Sequence, residues 1–165
     1  MRNATTYLAL GANLGDRSAN LRRALDALAP AFDVRAVSPV YETEPAYLLD
    51  QPRFYNLTCR AATALEPLGA LRELKRLEGA LGREPGTRFG PRLIDLDLLL
   101  YDDVITETPE LTLPHPRLHE RAFVLVPLAD IAPDVVHPVL GVTIADLRDR
   151  LGDTGRLIWP LGDRR

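Results

Sequence analysis

Leu93-Ile94-Asp95-Leu96-Asp97-Leu98-Leu99-Leu100-Tyr101 is the strongest strand candidate in this 165-residue chain, a run of aliphatic residues interrupted only by two acids. Residues i and i+2 of a strand share a face, so Asp95 and Asp97 present two carboxylates roughly 7 Å apart on one side. Leu98 to Leu100 imply apolar cover on both faces beyond the acids, which places the strand inside a layered structure. Taken alone, Ile94 to Leu98 also fits a half-exposed strand with its polar face in water. Two like charges on a covered face are costly without a cation between them. Oxygen ligands with no adjacent histidine or cysteine favour Mg²⁺, which takes its remaining ligands from water and phosphate.

Upstream of that strand, residues 83–92 are broken by glycine and proline and read as a loop carrying Arg83, Arg88 and Arg92. Before the loop, Pro67 to Leu81 reads as a helix with Leu68, Leu71, Leu74, Leu77 and Leu81 on one stripe and Gly82 at its end. Further back, Thr6 to Gly11 reads as a buried strand and Gly15 to Ala29 as an amphipathic helix. Val34 to Tyr41 and Tyr55 to Ala64 read as strands, with 45–52 a loop between them. Downstream, Asp102-Asp103 reads as a turn that returns Leu111 to Leu113 as a hairpin partner of the 93–101 strand. A helical stretch at 122–131 and a last helix capped by Thr143 complete the chain. These elements give one α+β domain, a mixed sheet covered by helices.

The chain has 23 acidic and 20 basic residues, 19 of the latter arginine and one lysine, Lys75. The slight acidity argues against a protein that coats duplex nucleic acid. No apolar run approaches the roughly 20 residues needed to span a bilayer. Cys59 is the single cysteine, and no secretory pattern opens the chain, so a cytoplasmic protein is expected. Arginine abundance by itself is also what a GC-rich genome produces. An acid pair beside a loop of arginines, however, is what phosphoryl transfer uses, because that chemistry consists largely of positioning groups and neutralising oxygens. His115, held between Pro114 and Pro116, could contact a phosphate or ribose or simply sit in an extended loop. Gly11-Ala12-Asn13-Leu14-Gly15 resembles a phosphate-binding turn only weakly, since it lacks the lysine and spacing of a P-loop.

LALGANLGDR at 8–17, YETEP at 41–45, QPRFYN at 51–56, GREPGTRFGPRLIDLDLLLY at 82–101 and LPHPRLHERAFVLVPLADIAP at 113–133 together resemble the 6-hydroxymethyl-7,8-dihydropterin pyrophosphokinase family of folate biosynthesis. The likeness spans about residues 6–140 and fades after Val142, leaving the tail at 152–165 without a role. It implies a single domain over residues 1–165 with a ferredoxin-like three-layer sandwich and a mostly antiparallel mixed sheet. The implied reaction moves pyrophosphate from ATP to the pterin hydroxymethyl group and releases AMP. By the same resemblance, Asp95 and Asp97 would hold two Mg²⁺ ions, and Arg83, Arg92, Asp95 and Asp97 would be the catalytic set. Glu78, Arg83, Arg92, Leu98, Thr112, His115 and Arg121 would contact ATP. Thr43, Ala46, Phe54, Asn56, Asp95 and Phe123 would contact the pterin, with Phe54 and Phe123 sandwiching the ring.

Phe89 stands where many family members carry tryptophan. The expected partners are ATP and the pterin, with no nucleic acid or membrane, and the expected state is a monomer. A noncatalytic nucleotide- or pterin-binding module of the same fold is the alternative. An RNA-binding ferredoxin-like domain fits less well, because Asp95 and Asp97 on the sheet would repel phosphate without a metal.

Overall fold

A computed structural model of the chain describes residues 3–45, 50–82 and 92–152, together with the main chain of 158–160. Its centre is β1 (Ala4–Ala12), an unbroken run that pairs antiparallel with β4 (Phe54–Thr63) on one side and β5 (Asp95–Tyr101) on the other. Beyond β4 lie β2 (Asp33–Val37) and β3 (Tyr41–Thr43), both antiparallel to it, and β3 in turn pairs with β8 (Ile158–Pro160). Every strand pair among the described residues is antiparallel, so the mostly antiparallel sheet expected from the sequence carries no parallel pair there.

Period-two alternation sorts β1 between two cores. Leu8, Leu10 and Ala12 pack with Leu57, Cys59, Ala61, Leu96 and Leu98 beneath α1 (Arg17–Leu28) and α2 (Pro67–Ala80). Tyr7 and Ala9 face the other way, toward Leu99, Leu118 and the buried residues of α3 (Ala122–Ile131) and α4 (Ile144–Arg150). Each fully buried leucine contributes about 1.5–3 kcal/mol of transfer free energy, so two apolar faces are what hold the helices on. This is a three-layer α+β sandwich. Asp16 caps α1 by accepting from the Ala19 amide at 3.1 Å, and Thr143 caps α4 through the Asp146 amide at 3.1 Å, the latter as its sequence position indicates. No helix of the described residues is long and apolar enough to cross a membrane.

Three details differ from the sequence reading. The 34–41 strand is two strands, broken where Ser38 leaves the ladder: its amide donates to Thr58 O and its hydroxyl accepts the Thr58 amide, both at 2.9 Å, just before Pro39. The 111–113 segment does not pair with 93–101. Its core, β7 (Thr112–Leu113), pairs with β6 (Thr106–Glu107) in a separate two-stranded sheet, because the chain first turns at Asp102 with φ 47° and then runs on to form β6 before it reaches β7. The outer edge of β5 is thereby left for side chains and loops to satisfy. Finally, the C-terminal tail adds β8 to the sheet, with Glu42 opposite Trp159.

Candidate active site

The strand register builds the site in two parallel rows. Across β3, β4, β1 and β5, one row reads Tyr41, Asn56, Gly11, Asp95, and the next places Thr58, Ala9 and Asp97 side by side. Cross-strand neighbours point to the same side of a sheet, so Asn56, Asp95 and Asp97 share the face that carries α3. Asn56 and Asp95 are two strand spacings apart, roughly 10 Å. Between them Gly11 offers no side chain, so the row is a trough with an amide at one end and a carboxylate at the other. A Cβ on Gly11 would come within 2.5 Å of Asn56 Oδ1 and 3.7 Å of Phe54 Cδ1, which places both pterin candidates directly over the glycine.

The amide end is fixed. Asn56 is 8% exposed, and its Nδ2 donates to the buried Thr43 hydroxyl at 2.7 Å. That bond uses one N–H and leaves Oδ1 and the second N–H to recognise a donor and acceptor edge. Phe54, at the first position of β4, is half-buried above this end. Phe123, the second residue of α3, is half-buried against the core on the same sheet face, with the Arg121 guanidinium 5.5 Å from its ring centroid.

At the acid end, burial and the neighbouring charge of Asp95 push the Asp97 carboxyl up to about 6, with Lys75 and Arg121 offsetting part of the rise. The hard oxygen donors of this pair fit Mg²⁺. Among the described residues no three histidine, cysteine or acidic groups converge. The pair is locked from the edge side: Glu78 on α2 is 2% exposed and accepts the Leu96 amide at 2.7 Å, holding the β5 backbone between the two aspartates. Lys75 approaches Glu78 at 3.4 Å.

His115 sits on the same edge, its amide donating to Leu99 O at 2.9 Å. Burial first, then the cations Arg121, Arg117 and Lys75, lowers its pKa to about 4, so it is neutral at pH 7. Nδ1 accepts the Arg117 amide at 3.2 Å, which assigns the ring proton to Nε2 and makes that nitrogen a donor. Arg121 is the N-cap residue of α3. Arg92 has its amide on Asn13 Oδ1 at 2.7 Å and its carbonyl bonded to the amides of Asn13 and Leu14.

The structure therefore gathers Asp95, Asp97, Glu78, His115 and Arg121 around the outer edge of β5, and Thr43, Asn56 and Phe54 around Gly11. Thr112 lies on β7, which packs beside β5. Leu98 turns away into the core under α1 and α2, so its side chain is on the opposite sheet face from the acids and only its main chain is available toward a nucleotide. Arg83, Arg88, Phe89 and Ala46 lie outside the described residues. Three residues were missed in the sequence: Gly11, Asn13 and Lys75. The first two fall in the glycine-rich turn noted above, but their role is cross-strand and becomes visible only once β1 is known to lie between β4 and β5. Lys75 faces the acid pair, whereas its place in the sequence shows only a polar helix position.

The family model for 7,8-dihydro-6-hydroxymethylpterin-pyrophosphokinase matches residues 7–133, which include every element of this site. The chain belongs to that family. It is 44% identical over 135 residues to the 2-amino-4-hydroxy-6-hydroxymethyldihydropteridine pyrophosphokinase of Bacillus subtilis, covering 81% of each chain. The enzyme of the same name from Aquifex aeolicus is 39% identical over 136 residues, covering 82% of this chain and 85% of that one. The folic acid synthesis protein FOL1 of Dictyostelium discoideum is 39% identical over 155 residues, but there the chain spans only 24% of the relative's length. Among solved structures, wild-type Plasmodium falciparum HPPK-DHPS with pteroate superposes with a TM-score of 0.75 at 18% identity, over 90% of this chain and 44% of that one, which supports the fold.

Proposed function

We propose that this chain is an ATP-dependent pyrophosphokinase that transfers the β,γ-pyrophosphoryl group of ATP to the hydroxymethyl oxygen of 6-hydroxymethyl-7,8-dihydropterin in folate biosynthesis. The observation that carries this reading is the Asn56, Gly11, Asp95 row with Asp97 beside it. It joins an amide suited to a pterin edge to an acid pair suited to a metal–triphosphate across a floor with no side chain. Membership of the family supports it independently.

In this scheme Asn56 fixes the in-plane orientation of the pterin, and Phe54 and Phe123 cover its faces, so that the hydroxymethyl arm points along the trough toward Asp95 and Asp97. The hydroxyl oxygen forms a bond to the β-phosphorus, the bridge between the α- and β-phosphates breaks toward AMP, and Asp97 accepts the hydroxyl proton. Two Mg²⁺ ions held by Asp95 and Asp97 would neutralise the triphosphate oxygens and acidify the hydroxyl. Arg83, Arg92 and Arg121 clamp the phosphates, and neutral His115 donates Nε2–H to the nucleotide without adding charge. Glu78 acts from the edge side by fixing the β5 backbone. A lone buried cysteine suits a reducing compartment such as the cytoplasm.

AMP release from ATP, followed by nucleotide chromatography, tests the proposal. We expect AMP only when Mg²⁺, ATP and the pterin are all present, and none after chelation of the metal. ATP and pterin binding without pterin-dependent AMP would make the chain a binding module instead.

A further inference from the structure

Asn13 follows β1 directly, is 2% exposed, and has its side-chain amide fully engaged. Its Oδ1 accepts the Arg92 amide at 2.7 Å, while Nδ2 donates to Gln51 Oε1 at 3.0 Å and to Pro52 O at 2.9 Å. The main-chain amides of Asn13 and Leu14 add bonds to Arg92 O at 3.0 and 3.1 Å. One side chain thus joins two segments that are 40 residues apart. Arg92 stands three residues before Asp95, and Pro52 stands two before Phe54 and four before Asn56. The chemistry suits an amide and little else: the Arg92 side requires an acceptor and the Pro52 side requires donors, and only asparagine at this length supplies both without charge.

We infer that Asn13 is a positioning residue that couples the nucleotide segment to the pterin segment, so that ordering either substrate's contacts helps to order the other's. The inference rests on the proposed function for the identity of the two ligands. Its physical basis is that a buried amide with all its bonds made is expensive to disrupt, so a displacement of the Arg92 main chain is passed to the chain entering β4 rather than absorbed.

Two substitutions separate the arms. Asn13→Ala removes both. Asn13→Asp keeps the acceptor for Arg92 but loses the donors and sets a carboxylate against Pro52 O. The measurement is pterin affinity by fluorescence titration with and without the Mg²⁺ complex of α,β-methylene-ATP, whose ratio is the coupling factor. In the wild type the analogue is expected to tighten pterin binding. In Asn13→Ala the factor should collapse toward one, with turnover down on the order of 100-fold from misplacement of the reacting groups. In Asn13→Asp, pterin affinity should fall about tenfold while affinity for the nucleotide alone stays within about twofold. Asn20→Ala is the control: this buried asparagine donates to Leu14 O at 2.9 Å and accepts from Arg23, makes no hydrogen bond to either substrate segment among the described residues, and should leave the coupling factor unchanged.

A wild-type factor of one, or a factor that survives in both Asn13 variants, overturns the inference. Equal loss of coupling in Asn20→Ala would reduce Asn13 to general scaffolding and overturn it as well. Failure of the wild type to bind either ligand would instead overturn the proposed function.

Discussion

Gly11→Ala is expected to weaken pterin binding by about 100-fold or more while leaving nucleotide affinity within a few-fold of wild type. The added methyl would lie 2.5 Å from Asn56 Oδ1, well inside van der Waals contact. Asn56 is a short side chain on a central strand, buried to 8% exposure and tied to Thr43 by a 2.7 Å bond, so it can yield only by breaking that bond or by displacing β4. Overpacking of this kind costs about 1–3 kcal/mol, and loss of the amide's orientation removes paired recognition bonds besides. Asn56→Ala removes the atom that clashes. In that background Gly11→Ala should therefore add little, and the double-mutant cycle should be strongly non-additive. Fluorescence titration of the pterin across the four proteins checks this, with thermal melts confirming that each is folded. Additive losses would mean that the methyl acts on something other than Asn56.

Asp97→Asn is expected to lower turnover by about 10³-fold or more with pterin affinity changed only a few-fold, because the carboxylate's interactions grow as charge is redistributed in the transition state. Its environment gives a second readout. In the metal-free protein the Asp97 carboxyl should titrate near pH 6 by ¹³C NMR, and Asp95→Asn should lower that value without restoring it to the ordinary range, since burial is the larger cause. The sign for stability follows. A carboxyl whose folded pKa is raised binds its proton more tightly in the native state, so native stability is greatest below the ordinary carboxylate pKa near 4 and is lost as pH rises through about 6. His115, its pKa lowered from 6.5 to about 4, contributes the opposite slope over nearly the same range. The difference between wild type and Asp97→Asn isolates the aspartate. Without divalent cations the variant should be the more stable of the two above pH 6, and Mg²⁺ should narrow or reverse that difference. Equal stability at pH 7 in chelator would contradict the charge strain assigned to the pair.

How far the sequence could be read depended on the range of the signal. Asp95 and Asp97 stood out because two acids at strand spacing in an otherwise aliphatic run are a local contradiction, and a local contradiction survives without coordinates. The helix stripes and the Thr143 cap were readable for the same reason. The hairpin proposed between the 93–101 strand and 111–113 failed because a turn signal names where the chain reverses, not which strand receives it. Here the intervening residues form β6 first and β7 pairs with that. The site's floor was hidden for a stronger reason. Gly11 and Asn56 are 45 residues apart, and only the register of β1 against β4 makes the missing side chain of one the space for the other. Asn13 was likewise unreadable, since its bonds reach 38, 39 and 79 residues along the chain. The motifs that carry the family resemblance pointed to those stretches without saying what holds them together.

The most direct test is ³¹P NMR of the wild-type reaction with Mg²⁺, ATP and 6-hydroxymethyl-7,8-dihydropterin. Transfer of the β,γ group gives AMP and a pterin ester with two coupled phosphorus resonances, rising together in equal amounts. ADP beside a pterin monophosphate, or an unchanged ATP spectrum, would contradict pyrophosphoryl transfer.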